Sequence, residues 1–235
     1  MLDPVQSLWI GPELSTMERL SIVSFLANDH PFHLYVYDDV RGIPDGVEVR
    51  DAREILPQSM IFQYSEHKTF AGFANYFRYK LLLDRGGWWS DVDSVCIRPL
   101  EFDAPYVFSS ERHEGVQYIN NGNIHAPRGS AIFAEAWELC RAKDPSTMRY
   151  GEMGPRLVSA LVAKHDLAPY VQPPEVFCPL GYEEWERLLD PEPPAIPDTT
   201  HAIHLWNEMW RRAGRDKDGE YAEGSLYEEL KRRYF

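Results

Sequence analysis

Between residues 70 and 99 an apolar-periodic segment runs into two glycines, two tryptophans and an Asp-Val-Asp triplet, and this order constrains the fold more than any other part of the chain. Phe73, Ala74, Phe77, Leu81 and Leu82 recur at helical spacing, which predicts a helix over Phe73 to Leu83 buried on one face. Gly86 and Gly87 should end it, because glycine tolerates the left-handed conformation of a helix terminus. The following Trp-Trp-Ser-Asp-Val-Asp reads as an extended strand. Alternate residues of a strand share a face, so Asp91 and Asp93 are expected on one side and Val92 on the other.

Two carboxylates converging on one point suit a hard divalent ion. Mg²⁺ and Mn²⁺ prefer oxygen ligands, and Mg²⁺ is commonly held by one or two carboxylates together with substrate phosphates. Such an ion would offset charge developing on a departing diphosphate. A bare D-x-D triplet also occurs as a solvated turn in acidic proteins, so its surroundings decide. Asn75 and Arg78 lie three apart on the predicted helix and project from one side. The Arg78 fork can take a phosphate or a carboxylate; the alternative is a purely structural ion pair to Asp91 or Asp93.

The segment Asn75, Arg78-Tyr79, Leu81 to Leu83, Gly86-Gly87, Trp88-Trp89, Asp91-Val92-Asp93 resembles the D-x-D sugar transferases of glycosyltransferase family 32, which includes yeast initiating α-mannosyltransferase, vertebrate α-1,4-galactosyltransferase and bacterial polysaccharide enzymes. Many members have Asp where this chain has Asn75, and an amide supplies hydrogen bonds without charge, so a role for Asn75 as a base is not expected. The resemblance maps Trp9, Ile10 and Gly11 onto a first strand beside the nucleotide base, and His204 with Trp206 onto a late His-x-Trp element. It maps Asn120, Asn121 and Gly122 onto an acceptor-side loop, and Gly151 to Pro155, with Glu152 as a polar contact, onto a Gly-Pro loop opening a later helix. Trp9 also fits a core position, His204 a structural histidine, and the two loops ordinary turns.

What the resemblance implies is an α/β, GT-A fold with a mixed central sheet and one domain over 1–235. Residues 1–99 would form the nucleotide-sugar half, and residues 100–235 the acceptor side and closing elements. It further implies a metal-dependent, retaining transfer of a hexose from a nucleotide diphosphate sugar, UDP-sugars favoured over GDP-sugars, to a glycan or glycolipid hydroxyl in bacterial surface polysaccharide synthesis. Asp93 is expected to ligate Mn²⁺ or Mg²⁺, assisted by Asp91 and His204. Arg78, Asn75 and Asp91 would hold the donor, with Trp9, Ile10 and Gly11 at the base and His204 with Trp206 over the phosphates. Retention requires no strong enzyme base, and no covalent nucleophile is nominated.

Composition agrees. The 235 residues carry 37 acidic and 24 basic side chains, a net charge of −13, which speaks against general nucleic-acid binding and simple attachment to anionic lipid. Cys96, Cys140 and Cys178 are widely spaced, without a CxxC pair, and read as buried thiols in a reducing compartment. The segment MLDPVQSLWIG lacks a basic region followed by an apolar run, so neither signal peptide nor anchor is expected. A cytoplasmic protein is expected, with contact at the cytosolic membrane face allowed.

Elsewhere SLWI, FHLYVYD and VEVRD read as strands and MERLSIVSFLAN as a helix. PYVFSSE and GVQYINNGNIHA read as strands around a turn at Asn120. SAIFAEAWELCRAK, GPRLVSALVAKHD and the tail AEGSLYEELKRRYF read as helices. The Pro-rich residues 190–200 cannot continue a helix and are expected to cross the surface as a flexible or ligand-gated loop. Three rival readings are weighed. DVDSV partly fits a haloacid-dehalogenase phosphatase motif, although it stands late in the chain and no second Gly-Asp-x-x-x-Asp element follows. The aromatic content of 13% would suit a glycan- or nucleotide-sugar-binding protein without turnover. A glycosidase needs carboxyls flanking the scissile bond about 5 to 9 Å apart, which two same-face residues do not provide.

Overall fold

The structure, a computed structural model, describes residues 2–64 and 68–235. Among these residues eight strands and seven helices order as β1 (Val5–Trp9), α1 (Thr16–Ala27), β2 (Phe32–Val36), β3 (Glu48–Asp51), α2 (Ala71–Asp84), β4 (Gly87–Ser90), β5 (Ser94–Cys96), β6 (Val107–His113), β7 (Val116–Ala126), α3 (Ala131–Ala142), α4 (Pro155–Lys164), α5 (Pro174–Phe177), β8 (Ala202–His204), α6 (Asn207–Ala213) and α7 (Leu226–Tyr234). Six strands form a mixed sheet in the order β3-β2-β1-β4-β7-β6. β1 pairs in parallel with β2 and β4, and β2 in parallel with β3, whereas β7 runs antiparallel to β4 and β6. β5 and β8 make a separate antiparallel ribbon.

Two tryptophans adjacent in sequence mark the two faces of the large sheet. Trp88 joins a core with Met17, Phe25, Phe177, Trp210 and Tyr227, from α1 and the C-terminal helices. Trp89 joins a second core with Phe73, Phe77, Phe133 and Leu161, from α2, α3 and α4. The same alternation sends Phe32, Leu34 and Val36 of β2 to the first core and Tyr35 to the second, as the two-residue period of a strand requires. A sheet covered on both faces explains the parallel β2-β1-β4 arrangement, with α1 and α2 in the connections that pack against it.

The helix predicted over Phe73 to Leu83 is α2. It stops where the glycines were expected to stop it: Gly86 and Gly87 have φ of +68° and +79°. A Cβ at Gly86 would lie 2.4 Å from the Arg128 amide nitrogen, so this position requires glycine for space as well as conformation. α1 carries buried serines that hold β5 beneath it. Ser21 Oγ donates to the Ser94 carbonyl at 2.7 Å, and the Cys96 N–H donates to Ser24 Oγ at 2.8 Å. The three cysteines are buried and free. Among the described residues no helix is long and apolar enough to cross a membrane. Residues 190–200 form neither helix nor strand and lie mostly at the surface.

Two expectations are corrected. The Asp91-Val92-Asp93 triplet is not part of a strand: β4 ends at Ser90, and the triplet turns the chain into β5. The reason is that β4 belongs to the large sheet and β5 to the ribbon, so the chain must change sheets within these residues. Likewise Asn120 is not a hairpin turn. β6 and β7 meet at Glu114-Gly115, and Asn120 to Asn123 lie within β7 at a register shift between Phe108 and Ser110. There Ser109 bridges the irregular stretch, donating to the Asn120 carbonyl at 2.9 Å and accepting the Asn123 N–H at 3.1 Å. Such bulges re-aim side chains.

Candidate metal and donor site

The turn brings the two carboxylates together by its own geometry. The Ser94 N–H donates to the Asp91 carbonyl at 3.1 Å, closing the turn, and the Asp91 N–H donates to the Gly122 carbonyl at 2.8 Å, tying it to β7. β8 then pairs with β5 so that His204 stands opposite Ser94. Asp91, Asp93 and His204 consequently each present a ligand atom, all within 4.8 Å of one another. Among the described residues this is the one group of three or more such side chains so placed. Two carboxylates and an imidazole form a donor set that could hold a divalent metal ion.

Each carboxylate is held by specific partners. Asp91 Oδ1 accepts Arg78 Nη2 at 2.5 Å and Trp89 Nε1 at 2.9 Å. The guanidinium also sits 4.8 Å from the Trp89 ring centroid, in cation–π range. Arg78 Nη1 donates to Asn75 Oδ1 at 2.9 Å, and Asn121 Nδ2 donates to the same oxygen at 2.8 Å. Asp93 Oδ2 accepts the Asn207 N–H at 2.9 Å, and its Oδ1 lies 3.2 Å from His204 Nε2. His204 stacks on Trp206 with centroids 4.0 Å apart. Trp206 is anchored by its indole N–H to the Leu180 carbonyl at 2.9 Å.

The electrostatics separate the two acids. Burial pushes the Asp91 carboxyl above the usual carboxylate range, and the charge of Arg78 only partly opposes it. Burial also acts against an ionised Asp93, but the His204 charge and hydrogen bond, with the Asn207 N–H, outweigh it and hold Asp93 below that range. Burial alone would lower His204; the charge and hydrogen bond of Asp93 reverse this and raise it well above the ordinary imidazole value. A cation entering the site would take the place of the imidazolium charge beside Asp93.

These groups line a cavity of about 690 Å³. Trp9, Ile10, Asn75, Arg78, Asp91, Asp93, Asn120, Asn121, His204 and Trp206 all lie on its wall, so residues from both ends of the chain meet there. Gly122 stands next to the acidic turn, where a Cβ would be 2.8 Å from Asn120 Oδ1 and 3.4 Å from both Asp91 Oδ2 and His204 Cε1. Gly11 and Glu152 are not on the wall. Gly11 packs on the Trp9 indole, and the Glu152 carboxylate is engaged by Lys143 Nζ at 2.6 Å and the Arg149 N–H at 3.0 Å. None of residues 190–200 reaches the cavity. The ion pair of Arg78 with Asp91 and the presence of Arg78 on the wall, set apart as alternatives by the sequence, occur together.

Three participants escaped the sequence reading. The Asn207 backbone and the Trp89 indole bind the acidic pair from positions beside recognised motifs. Glu111 of β6 also lines the cavity, and nothing in its sequence context marks it.

No family model matches the chain, and no curated protein matches it. Solved structures do. The PaToxG glycosyltransferase superposes with a TM-score of 0.53 at 18% identity, covering 69% of each chain. A cysteine-to-serine double mutant of a transferase gives 0.49 at 13% identity, over 71% of this chain and 86% of that one. The glycosyltransferase GlyE of Streptococcus pneumoniae TIGR4 gives 0.40 at 13% identity, over 74% and 46%. The similarity to PaToxG is one of fold: this chain shares its mixed α/β architecture.

Proposed function

We propose that the protein is a metal-dependent glycosyltransferase, of the kind found in family 32. It would move a hexose from a nucleotide diphosphate sugar, UDP-linked in preference to GDP-linked, to a hydroxyl of a glycan acceptor in bacterial surface polysaccharide synthesis. The observation that carries this reading is the convergence of Asp91, Asp93 and His204 within 4.8 Å on the wall of a cavity that also holds Arg78, Asn75 and Trp9. The glycosyltransferase architecture supports it independently.

Asp93, Asp91 and His204 would hold Mn²⁺ or Mg²⁺. When bound, the ion supplies Lewis-acid stabilisation of charge on the departing nucleoside diphosphate. Arg78 keeps Asp91 oriented and, with Asn75, presents donors toward the sugar or diphosphate. Trp9 offers an aromatic face for the base. His204 and Trp206 form the side of the pocket nearest the metal ligands. Transfer with retention of anomeric configuration suits this wall, since a leaving phosphate oxygen can take the acceptor proton on the same face without an enzyme base.

The test is thermal stability and nucleotide release with a panel of UDP-, GDP- and CMP-sugars, with and without Mn²⁺, for wild type and Asp93→Ala. Metal-dependent stabilisation by one sugar nucleotide, with slow donor hydrolysis that Asp93→Ala abolishes, supports the reading. Absence of binding to every sugar nucleotide in any metal overturns it, and phosphate-ester hydrolysis by the same preparation would then favour the phosphatase alternative.

A further inference from the structure

Glu111 projects from β6 into the cavity wall with one carboxylate oxygen committed and one free. Its Oε1 accepts Asn120 Nδ2 at 3.3 Å. Its Oε2 is buried and has no hydrogen-bond partner among the described residues. Burial raises the Glu111 carboxyl, opposed first by the charge of His204, so the group lies within electrostatic reach of the metal ligands. A buried carboxylate oxygen without a donor is costly, and Glu111 lines the cavity, where a bound ligand's O–H or N–H can supply the missing donor.

The carboxylate is also pre-positioned. Asn120 fixes it with one end of its amide and accepts the Gly122 N–H at 2.6 Å with the other. The Gly122 carbonyl in turn accepts the Asp91 N–H. A single bulged stretch of β7 therefore sets Glu111 and the acidic turn in fixed relation, whereas loops would leave that relation loose.

The chemistry of the ligand divides the cavity. Diphosphate oxygens are anionic acceptors and cannot satisfy a carboxylate oxygen; they belong beside Arg78 and the metal ligands. Sugar hydroxyls are donors. We propose that Glu111 is a specificity-determining residue that accepts a hydrogen bond from a hydroxyl of the donor hexose, so that the configuration at that carbon decides which sugar nucleotide is used. This rests on the transferase reading above. A site built to bond a hydroxyl discriminates strongly against a sugar that lacks it in place, because the protein group is then left unpaired.

Binding of UDP, GDP, UDP-glucose, UDP-galactose, UDP-N-acetylglucosamine and GDP-mannose, each with Mn²⁺, would be measured for wild type, Glu111→Gln and Glu111→Ala. Free UDP or GDP serves as the internal control for folding and for an intact metal site. The expected result is nucleoside diphosphate affinity unchanged within about twofold, with affinity for the preferred sugar nucleotide falling about ten- to hundredfold and the preference between glucose and galactose flattened. Unchanged sugar preference in both variants overturns the proposal. So does equal loss of UDP and UDP-sugar affinity in a variant with native circular dichroism, and so does retained donor hydrolysis with loss of transfer alone, which would move Glu111 to the acceptor. Failure of the wild type to bind any sugar nucleotide is a distinct result that refutes the transferase reading, and this proposal with it.

Discussion

His204 Nε2 lies 3.2 Å from Asp93 Oδ1, and both side chains are nearly enclosed, at 9% and 13% exposure. The pair contributes a pH dependence to the stability of the metal-free protein. His204 has a folded pKa raised by Asp93, so its contribution is fully present below the ordinary imidazole value of about 6.5 and is lost as pH rises through the folded value. Asp93 has a depressed folded pKa, so its contribution is present above about pH 4 and is lost as pH falls through its folded value. Chemical denaturation across pH should therefore show an alkaline decline that His204→Gln removes. Because a metal-ligating imidazole must be neutral, Mn²⁺ binding should release a proton and tighten with rising pH. Titration calorimetry in buffers of different ionisation enthalpy measures this, and a proton count of zero at neutral pH would contradict it.

Arg78→Ala should destabilise the fold by about 3 kcal/mol, since removing one member of a buried ion pair strands the other. Arg78 is 4% exposed at its side chain and Asp91 29%, and the loss also leaves Asn75 Oδ1 with Asn121 alone as a partner. Arg78→Lys should recover only part of the stability, because an ammonium cannot span Asp91 and Asn75 as the fork does. Urea midpoints at constant slope are the measurement. An Arg78→Ala midpoint equal to wild type would show that the pair carries no net stability.

Gly122→Ala should damage metal binding more than folding. The added methyl meets Asn120 Oδ1 at 2.8 Å and approaches Asp91 Oδ2 and His204 Cε1 at 3.4 Å, so the strand or the ligands must shift. We expect Mn²⁺ affinity to fall by about tenfold or more, equivalent to about 1.4 kcal/mol. Wild-type Mn²⁺ affinity in this variant would mean that the ligands tolerate the intrusion.

Tyr79→Phe removes a fully buried hydroxyl that donates to the Met153 carbonyl at 2.8 Å, joining α2 to the loop before α4. The cost should be about 1 to 2 kcal/mol, the loss of a buried hydrogen bond with its acceptor stranded. Tyr79 is not on the cavity wall, so donor affinity should change much less. Equilibrium unfolding together with nucleotide binding separates the two effects.

Local chemistry made much of this molecule legible in its sequence. The period of Phe73, Phe77 and Leu81 specified α2, and Gly86 and Gly87 ended it because few other residues adopt positive φ there. The alternation of apolar residues in β2 specified a strand, and Asp91, Asp93, Arg78 and Asn75 were readable because they lie close together in the chain. Tertiary structure decided what depends on distant partners. The acidic triplet is a turn because β5 pairs with β8, a partner far along the chain that no local pattern encodes. Asn120 belongs to a bulged strand because Ser109 bridges it, and Glu111 enters the cavity because β6 pairs with β7 at that bulge. Spacing fixes which side chains share a face within one element, whereas the meeting of two elements is settled by core packing and hydrogen-bond register across the whole fold.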